Sequence, residues 1–234
     1  MIWWAGISSD EVQVVVEKYP EQNGPEKQYE TVQIPGRNGD LLLDNASYSN
    51  YEQRYEIYFN ANKKKTPTGA RRVRAWLLSP KGYQRLEDSY DPDYYRIAYY
   101  KGPPEIENAM NLFGRSTITF VCKPQRYRKD GQYPTTFTAA GYLYNPELFA
   151  AQPIVKVYGN GAGTVTVGEQ MVTIKEIDGY VVLDSDTQNA YKDTLNKNNT
   201  ISAPEFPVLQ PGNNAIGFSG GVAKLEITPR WWTV

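Results

Sequence analysis

Only one stretch of this chain repeats its apolar residues at helical spacing, and that fact forces nearly everything else into strands. From Thr66 to Leu77 the residues Ala70, Val73, Trp76 and Leu77 form one stripe, with Thr66 placed as an N-cap and Pro67 at the first helical position. Arg71, Arg72 and Arg74 fall off that stripe, so the helix lies on an apolar surface and turns a basic face outward. Pro80 and Gly82 end it. Beyond them, Gly82–Ser89 and Tyr94–Tyr100 read as extended segments joined by Asp91-Pro92-Asp93, and turn chemistry of this kind predicts a hairpin.

The rest of the first half alternates. Glu11–Tyr19 reads as a strand with Val12, Val14 and Val16 on one side. Pro20–Lys27 is a polar loop, after which Thr31–Ile34 and Leu41–Leu43 flank Gly36-Arg37-Asn38-Gly39-Asp40. There Asn38-Gly39 suits a tight turn, and Arg37 and Asp40 offer opposite charges for a projecting contact between subunits; an ordinary hairpin accounts for the same residues. Tyr48–Phe59 and Ser116–Lys123 read as strands, while Lys63-Lys64-Lys65 reads as a solvated loop and Gly102-Pro103-Pro104 as a polar break.

From Arg126 to Pro146 the periodicity stops, which places an interdomain crossing there and divides the chain into residues 1–141 and 142–234. The second half then shows only short strands: Ile154–Tyr158, Thr164–Val167, Met171–Ile177, Tyr180–Asp184, Asn199–Ser202, Ala215–Phe218 and Val222–Ile227. Its turn signals include Gly159-Asn160-Gly161, Gly168-Glu169, Asp178-Gly179 and Pro211-Gly212-Asn213. Many short strands without a helix argue a β-sandwich or jelly roll.

Composition removes function classes. There is no histidine, so Ser-His-Asp and Cys-His catalysis and His-ligated metals are absent. The one cysteine, Cys122, sits in an alternating apolar strand and reads as a small hydrophobe. With 25 basic against 26 acidic residues, no charge excess favours nucleic acid or an anionic membrane, and no apolar run reaches membrane-spanning length. Glu87, Asp88, Asp91 and Asp93 lie too close in sequence to straddle a sugar and read as a solvated turn. Asp178, Asp184 and Asp186 match no calcium loop, and Gly159–Gly163 lacks the Lys-Ser/Thr and the following helix of a phosphate loop, so it reads as a hairpin loop. Trp3-Trp4 and Trp231-Trp232 are candidate platforms for a protein surface or a sugar ring, although neighbours on a strand point to opposite faces.

The runs WLLSPKGYQRLEDSYDPDYYRIA, IPGRNGD, FVCKPQRY and ITPRWW resemble the distal tail proteins of long-tailed phages that infect Gram-positive bacteria. With the patterns above, this gives a mainly β expectation: a sandwich- or barrel-like N-terminal domain with one packed helix, then a galectin-like or jelly-roll sandwich. The resemblance implies a structural protein, not an enzyme, without cofactor or metal. It implies a homohexameric ring built by the N-terminal domain at the distal end of the virion tail, assembled in the host cytoplasm. Implied partners are the tail tube protein, the tail tip or tail-associated lysin protein, the tape-measure protein and a receptor-binding protein, without membrane insertion or sequence-specific nucleic-acid contact. Arg37, Asp40, Trp3, Trp4 and Trp232 are the candidate interface residues. The competing expectation is a carbohydrate-binding module for cell-wall glycans, with Trp231 and Trp232 stacking on sugar.

Overall fold

The computed structural model describes residues 1–60, 66–102, 107–109 and 113–234, so Lys63-Lys64-Lys65 and Pro103-Pro104 lie outside the described residues. The protein is mainly β, with curled sheets. Its two compact units comprise residues 1–126 and 127–233. The first unit holds β1 (Ile2–Trp4), β2 (Ile7–Ser8), β3 (Val14–Val16), β4 (Lys27–Val32), β5 (Leu41–Tyr48) and β6 (Tyr51–Asn60). Then come α1 (Thr66–Leu78), β7 (Gln84–Asp88), β8 (Tyr94–Tyr100), β9 (Glu107–Ala109) and β10 (Phe113–Arg128), whose last two residues belong to the second unit.

In the first unit the sheet runs β2-β1-β7-β8-β10-β6-β3, with β9 also on β10. Alternation dictates its buried face: Leu86, Ala98, Ile118, Phe120, Cys122, Tyr55, Ile57 and Phe59 all point to one core. The helix seals it. Ala70, Val73, Trp76 and Leu77, the stripe seen in the sequence, are all buried, and each large side chain removed from water contributes roughly 1.5–3 kcal/mol. Phe59 fits because its neighbours are glycines: a Cβ on Gly69 of α1 would lie 2.7 Å from its ring, and one on Gly114 of β10 only 2.1 Å. The first predicted strand is shorter than the valine alternation suggests. Only Val14–Val16 pairs with β6, since residues 8–11 close a turn in which Ser8 and Glu11 cap each other's backbone amides.

The second unit continues with β11 (Thr135–Phe137), β12 (Gly141–Asn145), β13 (Ile154–Val167), β14 (Gln170–Asp184) and β15 (Asn189–Lys192). β16 (Leu195–Asn196), β17 (Ile201–Ser202), β18 (Gly212–Thr228) and β19 (Trp232–Thr233) complete it. The division falls at 126/127, earlier than the expected 141/142, because β11 and β12 both pair with β18 and so draw the apparent linker into this unit. Three strands of 14, 15 and 17 residues, β13, β14 and β18, form its centre.

Those long strands correct the reading of Gly159-Asn160-Gly161 and Asp178-Gly179 as turns, while Gly168-Glu169 does turn β13 into β14. Gly159–Gly163 lies inside β13, paired on one side with β14 and on the other with β18, and register shifts occur on both sides there. The shifts change which face is buried. Along β14 the buried positions pass from Val172 and Ile174 to Ile177, Val181 and Leu183, and along β18 from Asn214 and Ile216 to Leu225 and Ile227. An extra residue in one strand reverses its alternation and bends the sheet, so both halves face one core. Glycine is required where the backbones meet: a Cβ on Gly159 would lie 2.0 Å from the Gly221 carbonyl oxygen, and one on Gly221 1.9 Å from that of Asn160.

Gly221→Ala is therefore expected to destabilise the chain by roughly 1–3 kcal/mol in urea titration, by forcing backbones apart. Gly217→Ala on the same strand, where the added carbon meets only the Thr166 side chain at 3.8 Å, is expected to stay within about 0.5 kcal/mol of wild type.

Candidate functional site

The hairpin of β7 and β8 carries two charges into the core of the first unit. Leu86 pairs with Arg96, and alternation places Leu86, Asp88, Arg96 and Ala98 on the inner face. Asp88 and Arg96 are each 1% exposed. Arg96 Nη1 donates to Asp88 Oδ2 at 3.0 Å, Nη2 to Asp91 Oδ2 at 3.4 Å and Nε to the Tyr51 hydroxyl at 3.2 Å. The Tyr55 hydroxyl donates to Asp88 Oδ2 at 2.6 Å, and the backbone amides of Tyr90 and Asp91 donate to Asp88 Oδ1. Burial alone works against the Arg96 charge, but the Tyr55 and Tyr51 phenols and the Asp88 and Asp91 carboxylates outweigh it and hold it above the usual arginine range. Burial, then the Asp88 carboxylate, pushes the Tyr55 phenol well up.

This overturns the reading of the acidic cluster as a solvated turn. Asp88 is a structural anion that organises the Ser89–Asp91 turn around itself. The signal was present in the sequence, because Asp88 lies two residues from Leu86 and Arg96 two from Ala98, but only pairing the strands shows that both pairs face inward.

Between β3 and β6 the chain leaves the sheet. β4 and β5 pair only with each other, and every residue of β4 and most of β5 is exposed. The register sorts its side chains: Glu30 faces Leu43 and Val32 faces Leu41 on one side, while Tyr29 faces Asp44 and Thr31 faces Leu42 on the other. Apolar residues therefore lie on both faces, with Leu42 56%, Tyr29 47% and Leu43 42% exposed. At the root, Ala46 takes a positive φ of 51°, its amide donating to Asp44 Oδ1, and the ladder slips by a bulge. Ser49 N–H donates to the Glu26 carbonyl at 2.9 Å and closes the base.

Arg37 and Asp40 both sit in the exposed connection at the arm's end, residues 33–40. That connection is longer than a tight turn, and its positive φ angles fall on Gly36 and Gly39, both 81°. The tryptophans separate. Trp4 is 1% exposed with its ring 4.8 Å from Phe120, so it is a core residue and not an interface one; Trp3 is half-buried. Trp231 is buried in the second core, which removes it as a sugar platform. Trp232 packs on Phe149 at 4.5 Å, and its indole N–H donates to the Ala150 carbonyl at 2.9 Å.

The remaining reactive candidates are also occupied. Asp184 is held by Arg230 at 2.7 Å; burial pushes its carboxyl up, but Arg230 outweighs that and leaves it below the ordinary value. Lys192 pairs with Asp178 at 3.0 Å. Among the described residues, no three or more Cys, Asp or Glu are grouped to hold a metal. Cys122 is fully buried, and burial above all pushes its thiol up to about 12.

Residues 10–122 match the family described as phage tail protein RIFT-related domain. No curated protein matches the chain by sequence. Among solved structures, the Dit protein of phage SPP1, described as a paradigm of the hub adsorption apparatus in phages infecting Gram-positive bacteria, aligns with a TM-score of 0.76 and 11% identity. That alignment covers 100% of this chain and 98% of the other. A chain of the phage P2 baseplate in its activated conformation with calcium aligns with a TM-score of 0.50 and 11% identity, over 92% of this chain and 89% of the other. At such identity the likeness is one of fold.

Replacing Arg96 with Met would leave the Asp88 carboxylate buried without its cation, and denaturant titration followed by tryptophan fluorescence is expected to show a loss of about 3–5 kcal/mol. The double change Arg96→Met with Asp88→Asn should recover part of it, since neither charge then remains buried and an acceptor for Tyr55 and the Tyr90 and Asp91 amides is kept. Cys122, at about 12 and enclosed, should not react with a disulfide reagent at about pH 8 until denaturant exposes it.

Proposed function

We propose that this protein is the structural hub of a siphophage tail tip, on the strength of the match of residues 10–122 to the phage tail protein RIFT-related domain family and of a fold like that of the SPP1 Dit protein over the whole length. Six copies close into a ring through their first units at the distal end of the tail. The ring joins the tail tube protein to the tip or tail-associated lysin protein, and the tape-measure protein and the genome pass through it. The second unit serves as the docking body for tip or receptor-binding proteins. Assembly takes place in the host cytoplasm, and the protein performs no catalysis.

One observation carries the reading: the β4–β5 arm. A two-stranded ribbon is marginal in water on its own, and this one shows apolar residues on both faces. Tyr29, Val32, Leu41, Leu42 and Leu43 gain from burial only if another surface covers them. A contact in which the arm of one copy lies on a different surface of the next is head-to-tail, and head-to-tail contacts close into rings when the rotation permits. Arg37 and Asp40, at the arm's end, are placed to meet charges on that neighbour, and half-buried Trp3 and Trp232 are further candidate contact residues. Near-zero net charge suits a channel that lets DNA pass without gripping its phosphates.

Purified full-length protein is expected to elute as a closed oligomer by light scattering and to appear as rings in negative stain. Leu42→Ser combined with Leu43→Ser, one change on each face of the arm, should leave a folded monomer. Rings formed equally well by that variant would remove the arm from the interface, and a wild-type chain that stays monomeric when concentrated would overturn the hub reading.

A further inference from the structure

The segment from Glu17 to Glu26 that leads into the arm forms no strand, and apart from buried Pro20 it is exposed or half-buried. Side chains of the sheet hold it. Gln53, 1% exposed on β6, donates from Nε2 to the Glu21 carbonyl at 2.9 Å. Asn23 reaches back, Nδ2 donating to the Glu52 carbonyl at 2.9 Å. Arg126 at the end of β10 contributes most: Nη2 donates to the Asn23 carbonyl and Nη1 to Gln22 Oε1 at 3.4 Å, while Nε donates to the Tyr51 hydroxyl at 3.3 Å. The same guanidinium lies 3.7 Å from Asp91. Tyr51 and Asp91 are also the partners of buried Arg96, so Arg126 is oriented by the core network on one side and grips the strap on the other.

We propose that Arg126 is the latch that fixes the direction of the β4–β5 arm: it clamps the strap at Gln22–Asn23 to the Asp88–Arg96 network, so the arm is presented pre-oriented and swings when the clamp opens. Three donors in a fixed planar fork meet two acceptors on the strap and one on β6, an arrangement that a lysine ammonium cannot reproduce. Pre-orientation matters because ordering a free ribbon at the moment of contact would subtract from the association energy. Opening breaks the polar bonds of Arg126, Gln53 and Asn23, and within the strap itself Pro20 is the one buried residue.

The consequence for assembly rests on the hub reading above; the effect on the arm itself does not. The test places nitroxide labels at Asn38→Cys in the arm's end and Thr117→Cys on the exposed face of β10, buried Cys122 being unreactive, and dilutes the labelled chain into unlabelled protein. In the wild-type background the interlabel distances should form one narrow distribution, and in Arg126→Ala a broad one, with circular dichroism unchanged. Cleavage after Glu21 and Glu26 by a glutamyl endopeptidase should accelerate about tenfold, the factor expected for losing one or two net hydrogen bonds. Arg126→Lys should fall between the two. Ring yield in negative stain should drop in Arg126→Ala. A folded Arg126→Ala with wild-type distances and cleavage overturns the latch. Should that variant fail to fold, Gln22→Ala, which removes the exposed side-chain acceptor of the same clamp, decides in its place: faster cleavage after Glu26 supports the latch and unchanged cleavage refutes it. A wild-type chain that forms no rings would count against the hub, and the distances would still judge the latch.

Discussion

Taking the Arg96 guanidinium out of water costs several kcal/mol, and the first unit is arranged so that this cost is met at every polar atom. Asp88 accepts from Arg96, Tyr55 and two backbone amides; Arg96 donates to Asp88, Asp91 and Tyr51. Such a pair adds little net stability compared with apolar side chains of the same volume. It does add register. A slip of one residue in either strand of the β7–β8 hairpin would turn that strand's charge outward, bringing in Glu87 from β7 or Ile97 from β8, and leave the other charge buried alone, so the network selects one alignment from several of similar apolar content.

From that network the arm takes its base. Tyr51 opens β6 directly after the arm returns, and Asp91 closes the turn beneath it, so the two residues that satisfy Arg96 also border the strap. A projecting ribbon with apolar faces is a liability in a monomer, since exposed strand edges invite promiscuous pairing. Under the proposed hub reading that liability is removed, because a neighbouring copy covers the ribbon.

The second unit meets a different constraint with different chemistry. Among the described residues it has no α-helix, only two short 3-10 turns, to cover a flat sheet, so the sheet must bend over its own core. Long strands bend where an extra residue enters and where side chains vanish, which is the work of Gly159, Gly163, Gly220 and Gly221. The valines and isoleucines on either side then meet in one cluster.

The sequence by itself determined the identity of most elements. The α-helix with its Val73–Trp76–Leu77 stripe, the hairpin from Gln84 to Tyr100, the strand through Ile118–Cys122 and the mainly β second half follow from periodicity and turn residues, which are properties of neighbours along the chain. The tertiary structure alone decided which polar groups are buried and which glycines bend a strand. Asp88 and Asp93 look alike in sequence, yet only Asp88 finds Tyr55, 33 residues away, and Arg96 across a hairpin. Trp4 and Trp231 look like surface aromatics until a sheet and a core close over them. Gly159 looks like a turn until Gly221, far along the chain, packs against it with no room for a side chain. In each case the local pattern fixes the direction of the chain and the alternation of its side chains, while burial depends on which distant segment arrives opposite, and a linear pattern does not encode that partner.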